Sequence, residues 1–192
     1  DYTGTANPAP VTSTAHTKFT LKYNGEATIP TDAGEYALTA EVPAHDDYAA
    51  STVDLGKWTI NAKEVTITPN ALSKTYGEAD PTLTYTTSID SDTTLKPLFT
   101  AAGKLGRAAG DGVGSYAINI GDLTAGSNFK LTLDSTIVYF AITPAGYSYA
   151  VDAAQDFRTG SGLSAITAPA SGSGVNGEAV NGTLTWYSNS SR

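Results

Sequence analysis

The chain repeats itself with a period of about 80 residues, and this repeat constrains its fold more than any other feature. The pattern Gly34-Glu35-Tyr36 returns 80 residues later as Gly114-Ser115-Tyr116. Two further pairs follow at offsets of 81 and 82 residues, Asp47-Tyr48 with Asn128-Phe129 and Trp58-Thr59-Ile60 with Phe140-Ala141-Ile142. Self-similarity at a nearly fixed spacing is the signature of tandem modules. We therefore expect several small domains rather than one large core.

Threonine residues that alternate with apolar residues predict that these modules are built from strands. The chain has 29 Thr among its 192 residues, many of them in runs such as Val65-Thr66-Ile67-Thr68 and Leu131-Thr132-Leu133. Alternation with a period of two gives a strand one buried and one solvated face. The branched Cβ of Thr favours extended backbone, and its hydroxyl suits the solvated face. We expect an all-β or β-rich chain whose small modules form an elongated array.

The repeat divides the chain into three modules. Module one comprises residues 1–62, module two residues 63–144, and module three residues 145–192, which we expect to be a partial, truncated module. The joints at Ala62-Lys63 and Pro144-Ala145 have no linker residues. Because short joints restrict hinge motion, we expect a semi-rigid array. The sequence does not begin with Met, and we interpret it as an internal fragment of a longer protein.

The alternating runs also place individual strands. For modules one and two, strands are predicted at Thr17–Tyr23, Glu35–Val42, Lys57–Asn61, Glu64–Pro69, Thr82–Ser88, Ser115–Ile120, Lys130–Leu133 and Ile137–Thr143, with further candidates at Val11–Thr14 and Tyr48–Val53. Strands of module three are predicted near Tyr147–Asp152 and Gly182–Tyr187. The helical candidate is Asp92–Ala102, which Pro97 would limit to a turn or two.

Composition disfavours several classes of partner. With 19 acidic and 11 basic residues, the net charge of −8 disfavours nucleic acid and anionic membranes, which both attract basic surfaces. No apolar run approaches the ~20 residues of a membrane-spanning helix, so we expect no membrane insertion. The chain has no Cys, which fits a secreted bacterial protein better than a small animal ectodomain. We expect a monomer in which neighbouring repeats of the same chain contact one another.

No set of residues in the sequence suggests catalysis or a metal site. His16 and His45 lie in separate segments without neighbouring ligands, and there is no Cys. Acidic residues cluster at Asp46-Asp47, Asp90-Ser91-Asp92 and Asp111-Gly112, but none of these clusters has the ligand spacing of an EF-hand calcium loop. We therefore predict that the chain is not an enzyme and has no catalytic residues, no metal-binding residues and no cofactor. The ligand-binding residues, if the chain has a ligand, are unknown.

Two other features have a functional interpretation beside a structural one. A Lys–Asn isopeptide bond, a device of surface modules, would join Lys22 or Lys63 to Asn61 or Asn70, but it needs a buried acid that the sequence does not place. Aromatic residues of module three could stack on sugar rings or could fill a thin core. They are Tyr147, Tyr149, Trp186 and Tyr187.

The spacing Asp32-x-Gly34-x-Tyr36 is that of the tyrosine corner of immunoglobulin domains, and module two keeps Gly114-Ser115-Tyr116. We interpret both as tight turns that enter a buried strand. We expect the rings of Tyr36 and Tyr116 to be mostly buried in the cores of their own modules. An Ig-like β-sandwich is therefore one candidate fold, although an Ig domain needs about 100 residues and module one has 62.

Module two carries an ordered set of motifs, Ser73-Lys74-Thr75-Tyr76-Gly77-Glu78-Ala79-Asp80-Pro81, Leu83-Thr84-Tyr85, Val113-Gly114-Ser115-Tyr116-Ala117-Ile118, Ser127-Asn128-Phe129 and Ala141-Ile142-Thr143-Pro144. This set resembles the YGX type of MBG domain, a repeat of bacterial surface adhesins that is related to mucin-binding repeats. Module one resembles a shorter relative that lacks the Tyr-Gly-Glu-Ala-Asp-Pro stretch. The resemblance implies a β-grasp-like fold, with the Ig-like β-sandwich as the alternative.

The repeat, the strands and the resemblance together lead to one functional expectation. We expect a noncatalytic extracellular repeat region of a bacterial cell-surface protein, located at the cell surface or cell wall, that acts as a semi-rigid stalk or adhesive module. The alternatives are a module that binds host glycans or mucin, and an accessory region of a secreted carbohydrate-active enzyme.

Overall fold

The structure is a computed structural model that describes residues 1–13, 18–46, 49–146 and 172–180. Within these ranges the regular elements are β-strands and one 3-10 turn at Lys96–Leu98, so the prediction of a β-rich chain is confirmed. None of the helical turns in the described ranges has the length and apolar character of a membrane-spanning helix. The strands predicted near Tyr147–Asp152 and Gly182–Tyr187 lie outside the described residues.

The strands are numbered β1 to β14 in chain order. Their bounds are β1 Thr20–Tyr23, β2 Gly34–Val42, β3 Ser51–Ile60, β4 Lys63–Pro69, β5 Leu72–Thr75, β6 Tyr85–Thr87, β7 Ala101–Ala102, β8 Gly106–Arg107, β9 Gly114–Asn119, β10 Thr124–Ala125, β11 Phe129–Leu133, β12 Tyr139–Thr143, β13 Gly172–Ser173 and β14 Ala179–Val180.

Four of the predicted segments need correction. Residues 51–53 of the candidate Tyr48–Val53 and residues 57–60 of the candidate Lys57–Asn61 belong to one strand, β3. Residues 11–13 of the candidate Val11–Thr14 form no strand. The helical candidate Asp92–Ala102 keeps helical structure only at Lys96–Leu98, because Pro97 has no N–H to donate and no further helical turn follows it.

The chain divides into two compact units. Unit 1 comprises residues 1–71, 83–108 and 117–138, and unit 2 comprises residues 72–82, 109–116 and 139–192. Module two contributes to both units, whereas the described part of module one lies in unit 1. The division into three modules stays a prediction.

The module one part of unit 1 is a three-stranded antiparallel sheet in the order β1–β2–β3. Its core is a small cluster of the buried residues Ala9, Tyr23 and Leu38, against which Val11, Leu21, Tyr36 and Trp58 pack. Two polar groups on these rings are satisfied by backbone. The Tyr23 hydroxyl accepts a hydrogen bond from the Ala9 N–H at 2.9 Å, and the Trp58 indole N–H donates to the Asn7 carbonyl at 3.0 Å. The residues before β1 are therefore part of the core.

A bulge interrupts the pairing of β2 with β3. Ala37 pairs with Lys57 and Thr39 pairs with Asp54, so Leu38 alone faces both Leu55 and Gly56. Gly56 has a φ of +84°, and its N–H donates to the Asp54 carboxylate at 2.8 Å. The bulge therefore lies within the long, exposed outer strand of the sheet.

The module two part of unit 1 is built around β4. This strand pairs in parallel with β11 and antiparallel with β6, so it is the central strand of a three-stranded sheet. Val65 and Ile67 are 0% exposed, and the alternating residues Thr66 and Thr68 are half-buried. The alternation of threonine with apolar residues thus gives the buried and solvated faces that the sequence predicts.

In unit 2, β5 pairs in parallel with β12, and the side chains of Phe140 and Ile142 on β12 are buried. The Thr143 hydroxyl donates to the Lys74 carbonyl at 3.1 Å, which joins the ends of the two strands. Residues 172–180 form a short antiparallel hairpin from β13 and β14. The parallel partners lie far apart in sequence, 63–69 with 129–133 and 72–75 with 139–143, so each pair closes a long loop.

Truncation of a side chain in the β4 core should destabilise the protein strongly. Ile67→Ala is expected to lower the free energy of unfolding by about 2–5 kcal/mol, because it removes buried methyl groups and leaves a cavity. Urea denaturation followed by Trp fluorescence and circular dichroism measures this loss. Ile137→Ala is the matched control, since Ile137 is 61% exposed. Equal losses in the two variants would contradict the placement of Ile67 in a core.

Candidate functional site

Both tyrosines of the repeated Gly-x-Tyr pattern form a tyrosine corner. The Tyr36 hydroxyl donates to the carbonyl of Asp32 at 2.8 Å, and the Tyr116 hydroxyl donates to the carbonyl of Gly112 at 2.7 Å. Each bond spans four residues, and each holds the turn in front of a strand. The sequence interpretation of this spacing as a folding device agrees with this geometry.

The rings themselves are half-buried, not mostly buried as the sequence analysis predicts. The reason is that each hydroxyl must reach back to a turn at the surface, so the ring lies along the edge of the core. Tyr36 packs against the cluster of Ala9, Tyr23 and Leu38. The ring of Tyr116 lies directly over Gly110, where a β-carbon would collide with it. Each turn is thus held at the surface by its tyrosine hydroxyl.

The Tyr-Gly-Glu motif of module two also forms a closed turn. The Glu78 N–H donates to the Thr75 carbonyl at 3.1 Å, and the Glu78 carboxylate accepts from the Thr75 N–H at 2.8 Å. Lys74 and Asp80, on either side of the turn, form an ion pair at 2.6 Å in which the Lys74 side chain is only 9% exposed. The charged residues of the motif thus hold the loop in shape, and Tyr76 and Gly77 lie at its tip.

The acidic cluster around Asp90 is occupied by donors of the protein itself. The Asp90 carboxylate accepts from the Thr87 N–H at 2.7 Å and from the Thr87 hydroxyl at 2.9 Å, and it forms an ion pair with Lys96. The Lys96 ammonium and the two Thr87 donors lower the pKa of Asp90 from 3.8 to about 2. Asp92 accepts from the N–H groups of Leu95 and Thr94, which lower its pKa below the ordinary value. Both carboxylates close the loop that leads to the 3-10 turn.

The other residues with a candidate role in metal binding are dispersed. His45 pairs with Asp46 at 2.7 Å on an exposed loop, and His16 and Asp47 lie outside the described residues. Asp111 lies in the turn before Tyr116. Within residues 1–13, 18–46, 49–146 and 172–180, no three His, Cys, Asp or Glu side chains are grouped so that they could hold a metal ion.

Two of the four residues considered for an isopeptide bond have other side-chain partners. Lys22 forms an ion pair with Glu41 at 3.1 Å, and the Asn70 amide donates to the Thr84 hydroxyl at 2.9 Å. Lys63 and Asn61 both line a groove at the joint of modules one and two. The aromatic residues Tyr147, Tyr149, Trp186 and Tyr187 lie outside the described residues.

Modules one and two contact each other through a small set of specific interactions. The side-chain oxygen of Asn128 accepts from the Ala33 N–H at 2.7 Å, and its amide nitrogen donates to the Asp32 carboxylate at 2.9 Å. The Tyr2 ring lies edge-on to the Phe129 ring, with centroids 5.4 Å apart. We call this set of contacts the junction. Contact between neighbouring repeats was expected from the sequence, but the residues of the junction were not identified, although the pairing of Asn128-Phe129 with Asp47-Tyr48 marked them as part of the repeat.

Asp90 should titrate well below an ordinary aspartate. Because its folded-state pKa is about 2 rather than 3.8, the ionised carboxylate stabilises the fold above pH 3.8, and this stabilisation is lost as the pH falls through 2. An NMR titration that follows the side-chain carboxyl carbon of Asp90 measures this pKa directly. Lys96→Met should raise the pKa toward the ordinary value. A wild-type pKa near 3.8 would contradict the bonded state of this carboxylate.

Two family models match successive segments of the chain. The model of the MBG domain matches residues 1–64, and the model of the MBG domain of the YGX type matches residues 65–138. No curated protein and no solved structure matches the chain. MBG domains occur in surface proteins, are linked to adhesion or binding, and are generally non-catalytic. The two family matches confirm the resemblance that the motifs indicate. Residues 1–138 are thus two consecutive MBG domains, and the chain belongs to the MBG-domain family.

Proposed function

We propose that the chain is a noncatalytic extracellular region of a bacterial cell-surface protein, in which tandem MBG domains act as a semi-rigid stalk at the cell surface or cell wall. The observation that supports a stalk most directly is the junction. A stalk must keep the relative orientation of neighbouring modules fixed, and this requires that the modules resist bending at their joint.

Three features of the junction oppose bending. Only Asn61 and Ala62 separate the end of β3 from the start of β4, which leaves few rotatable bonds for a hinge. The Asn128 side chain makes two hydrogen bonds to module one, and a bend would expose or strand these polar groups. Tyr2 is 6% exposed, so a bend would also return apolar ring surface to water.

The surface chemistry also favours a spacer over a binding platform. The net charge is −8, and exposed ion pairs such as Glu35 with Lys57 and Glu64 with Lys130 cover the strands with polar groups. The large apolar side chains that the described part of the chain exposes come from several different segments. They are Ile29, Val53, Leu55, Leu98, Val113, Ile137, Tyr139 and Val175. Tyr139 is the aromatic residue in this set, whereas sugar-binding platforms use several exposed rings.

The second candidate function is recognition of host glycans or mucin, and one groove favours it. This groove lies beside the first tyrosine corner and is lined by Tyr23, Asn24, Ile29, Pro30, Asp32 and Tyr36 among others. It combines aromatic edges with amide and carboxylate groups, the mixture that hydrogen-bonds sugar hydroxyls and packs on their apolar faces. A role as an accessory region of a secreted carbohydrate-active enzyme would apply if the parent gene encoded a catalytic domain.

The stalk proposal predicts a narrow distribution of distances across the junction. The chain has no Cys, so Thr52→Cys in module one and Thr86→Cys in module two provide two unique, exposed sites for spin labels. Electron–electron resonance should give one narrow distance, and Asn128→Ala should broaden it because both hydrogen bonds of that side chain are lost.

Asn70→Ala is the matched control for this experiment. It also removes one asparagine side chain, but the Asn70 amide bonds to Thr84 within module two. We expect the distance distribution of this variant to equal that of the wild type. A broad distribution in the wild-type chain would contradict a semi-rigid joint.

Binding measurements separate the stalk from the second candidate. On an array of mucin-type glycans, the stalk proposal predicts no saturable binding by the 192-residue chain. If a glycan did bind in the groove beside the first tyrosine corner, Ile29→Asp should abolish that binding. Ile137→Asp, which also places a charge at an exposed apolar position, is the control. Saturable binding that only Ile29→Asp removes would replace the stalk by glycan recognition.

A further inference from the structure

The two MBG domains share a second short motif besides the Gly-x-Tyr pattern, although the domains differ in length. Residues Gly4-Thr5-Ala6-Asn7-Pro8 align without a gap to Gly77-Glu78-Ala79-Asp80-Pro81. Gly4 and Gly77 both adopt left-handed backbone, with φ of +76° and +90°, a conformation that glycine adopts readily. Module one therefore has a counterpart of the stretch that the sequence analysis regards as missing from it. We call residues 4–8 and 77–81 the glycine loops.

In each module the glycine loop lies next to the turn that the corner tyrosine holds. In module one the Asn7 N–H donates to the Pro30 carbonyl at 3.0 Å, just before the turn at Asp32. In module two Gly77 and Glu78 line the same groove as Asp111 and Gly112. We call residues 31–34 and 111–114 the corner turns. A glycine loop and a corner turn thus form one continuous patch in either module.

The patch of module one receives side chains from module two. A β-carbon placed on Gly4 would lie 2.7 Å from Cδ1 of Leu98 and 3.5 Å from Cγ2 of Thr94, so Leu98 packs closely over the glycine. Asn128 binds the corner turn through Asp32 and Ala33. The two parts of this contact are tied together, because the Phe99 and Phe129 rings pack edge to face with centroids 5.3 Å apart.

The patch of module two receives side chains from the segment that follows it. A β-carbon placed on Gly77 would lie 2.5 Å from Cγ2 of Val175 and 3.3 Å from the side-chain oxygen of Asn176. Asn176 also lines the groove that contains Asp111 and Gly112 of the corner turn. An apolar side chain against the glycine and an asparagine beside the corner turn thus occur at both patches.

We propose that the glycine loop and the corner turn of each MBG domain form a docking surface for the following segment of the same chain. Leu98 and Asn128 occupy the surface of module one, and Val175 and Asn176 of the β13–β14 hairpin occupy that of module two. In both modules the glycine leaves space for the incoming apolar side chain. In module one the corner turn also binds the incoming amide, through the Ala33 N–H and the Asp32 carboxylate. This inference goes beyond the proposed function, since it holds for a stalk and for a glycan-binding region alike.

The hairpin itself supplies an independent reason to expect docking. Its two strands have two residues each, and its backbone bonds join the Gly174 N–H to the Glu178 carbonyl at 2.9 Å and the Gly177 N–H to the Gly174 carbonyl at 3.0 Å. An isolated two-stranded hairpin is at best marginally stable in water. We therefore expect the protection of these two amides from exchange to depend on contact with the glycine loop.

Hydrogen exchange in the full 192-residue chain tests the proposal. Val175→Asp places a charge against Gly77 and should accelerate exchange of the Gly174 and Gly177 amides by about tenfold, the ratio for an opening free energy lowered by ~1.4 kcal/mol. Asn176→Ala should accelerate it by a smaller factor. The amides of Val65 and Ile67, in the core of unit 1, should exchange as in the wild type in both variants.

Ile137→Asp is the control, because it adds the same charge at an exposed position that belongs to neither patch. It should leave the exchange of Gly174 and Gly177 unchanged. Wild-type exchange rates of both amides in Val175→Asp and Asn176→Ala would overturn the proposal, because the hairpin would then be formed without the glycine loop. Equal acceleration by Ile137→Asp would overturn it as well, because the effect would be nonspecific.

Discussion

The parallel pairing of β4 with β11 is the interaction on which the rest of the structure depends. Two residues separate the end of β3 from the start of β4, so the position of β4 is set by module one. Its register places Lys63 opposite Phe129, and the Lys63 N–H donates to the Asn128 carbonyl at 2.8 Å. This pairing brings Asn128 to the boundary between the modules, where its side chain can reach the turn of the preceding tyrosine corner. β4 is thus the central strand of a core, and its pairing with β11 also positions the junction.

Local patterns in the sequence were sufficient for the strands that have one buried face. Val65 and Ile67 alternate with threonine. The pattern alone predicts that the apolar residues are the buried ones, because side-chain direction in a strand has a period of two. The tyrosine corners were also predictable, since the bond from a hydroxyl to a carbonyl four residues earlier needs only a short segment of chain. Tandem MBG repeats followed from motifs that are similarly local.

Interactions between distant segments could not be predicted from such patterns. β5 is short and polar, and its strand structure depends on pairing with β12 about 70 residues later in the chain. The role of Asp90 depends on where the loop brings Thr87 and Lys96. The junction joins Asp32 to Asn128, 96 residues away, and nothing near either residue indicates its partner. The half-buried state of Tyr36 and Tyr116 likewise depends on where the core ends, which is a property of the assembled sheets.

The bulge in β3 has a consequence for how copies of this protein behave at high concentration. An outer strand of ten residues with exposed Val53 and Leu55 is a template on which a second chain could add a strand and begin to aggregate. The extra residue at Leu55-Gly56 bends the strand and shifts its hydrogen-bonding groups out of step halfway along. A straight incoming strand can then match only half of the edge. At high concentration the bulge thereby opposes the pairing of β3 with strands of other molecules into a continuous sheet.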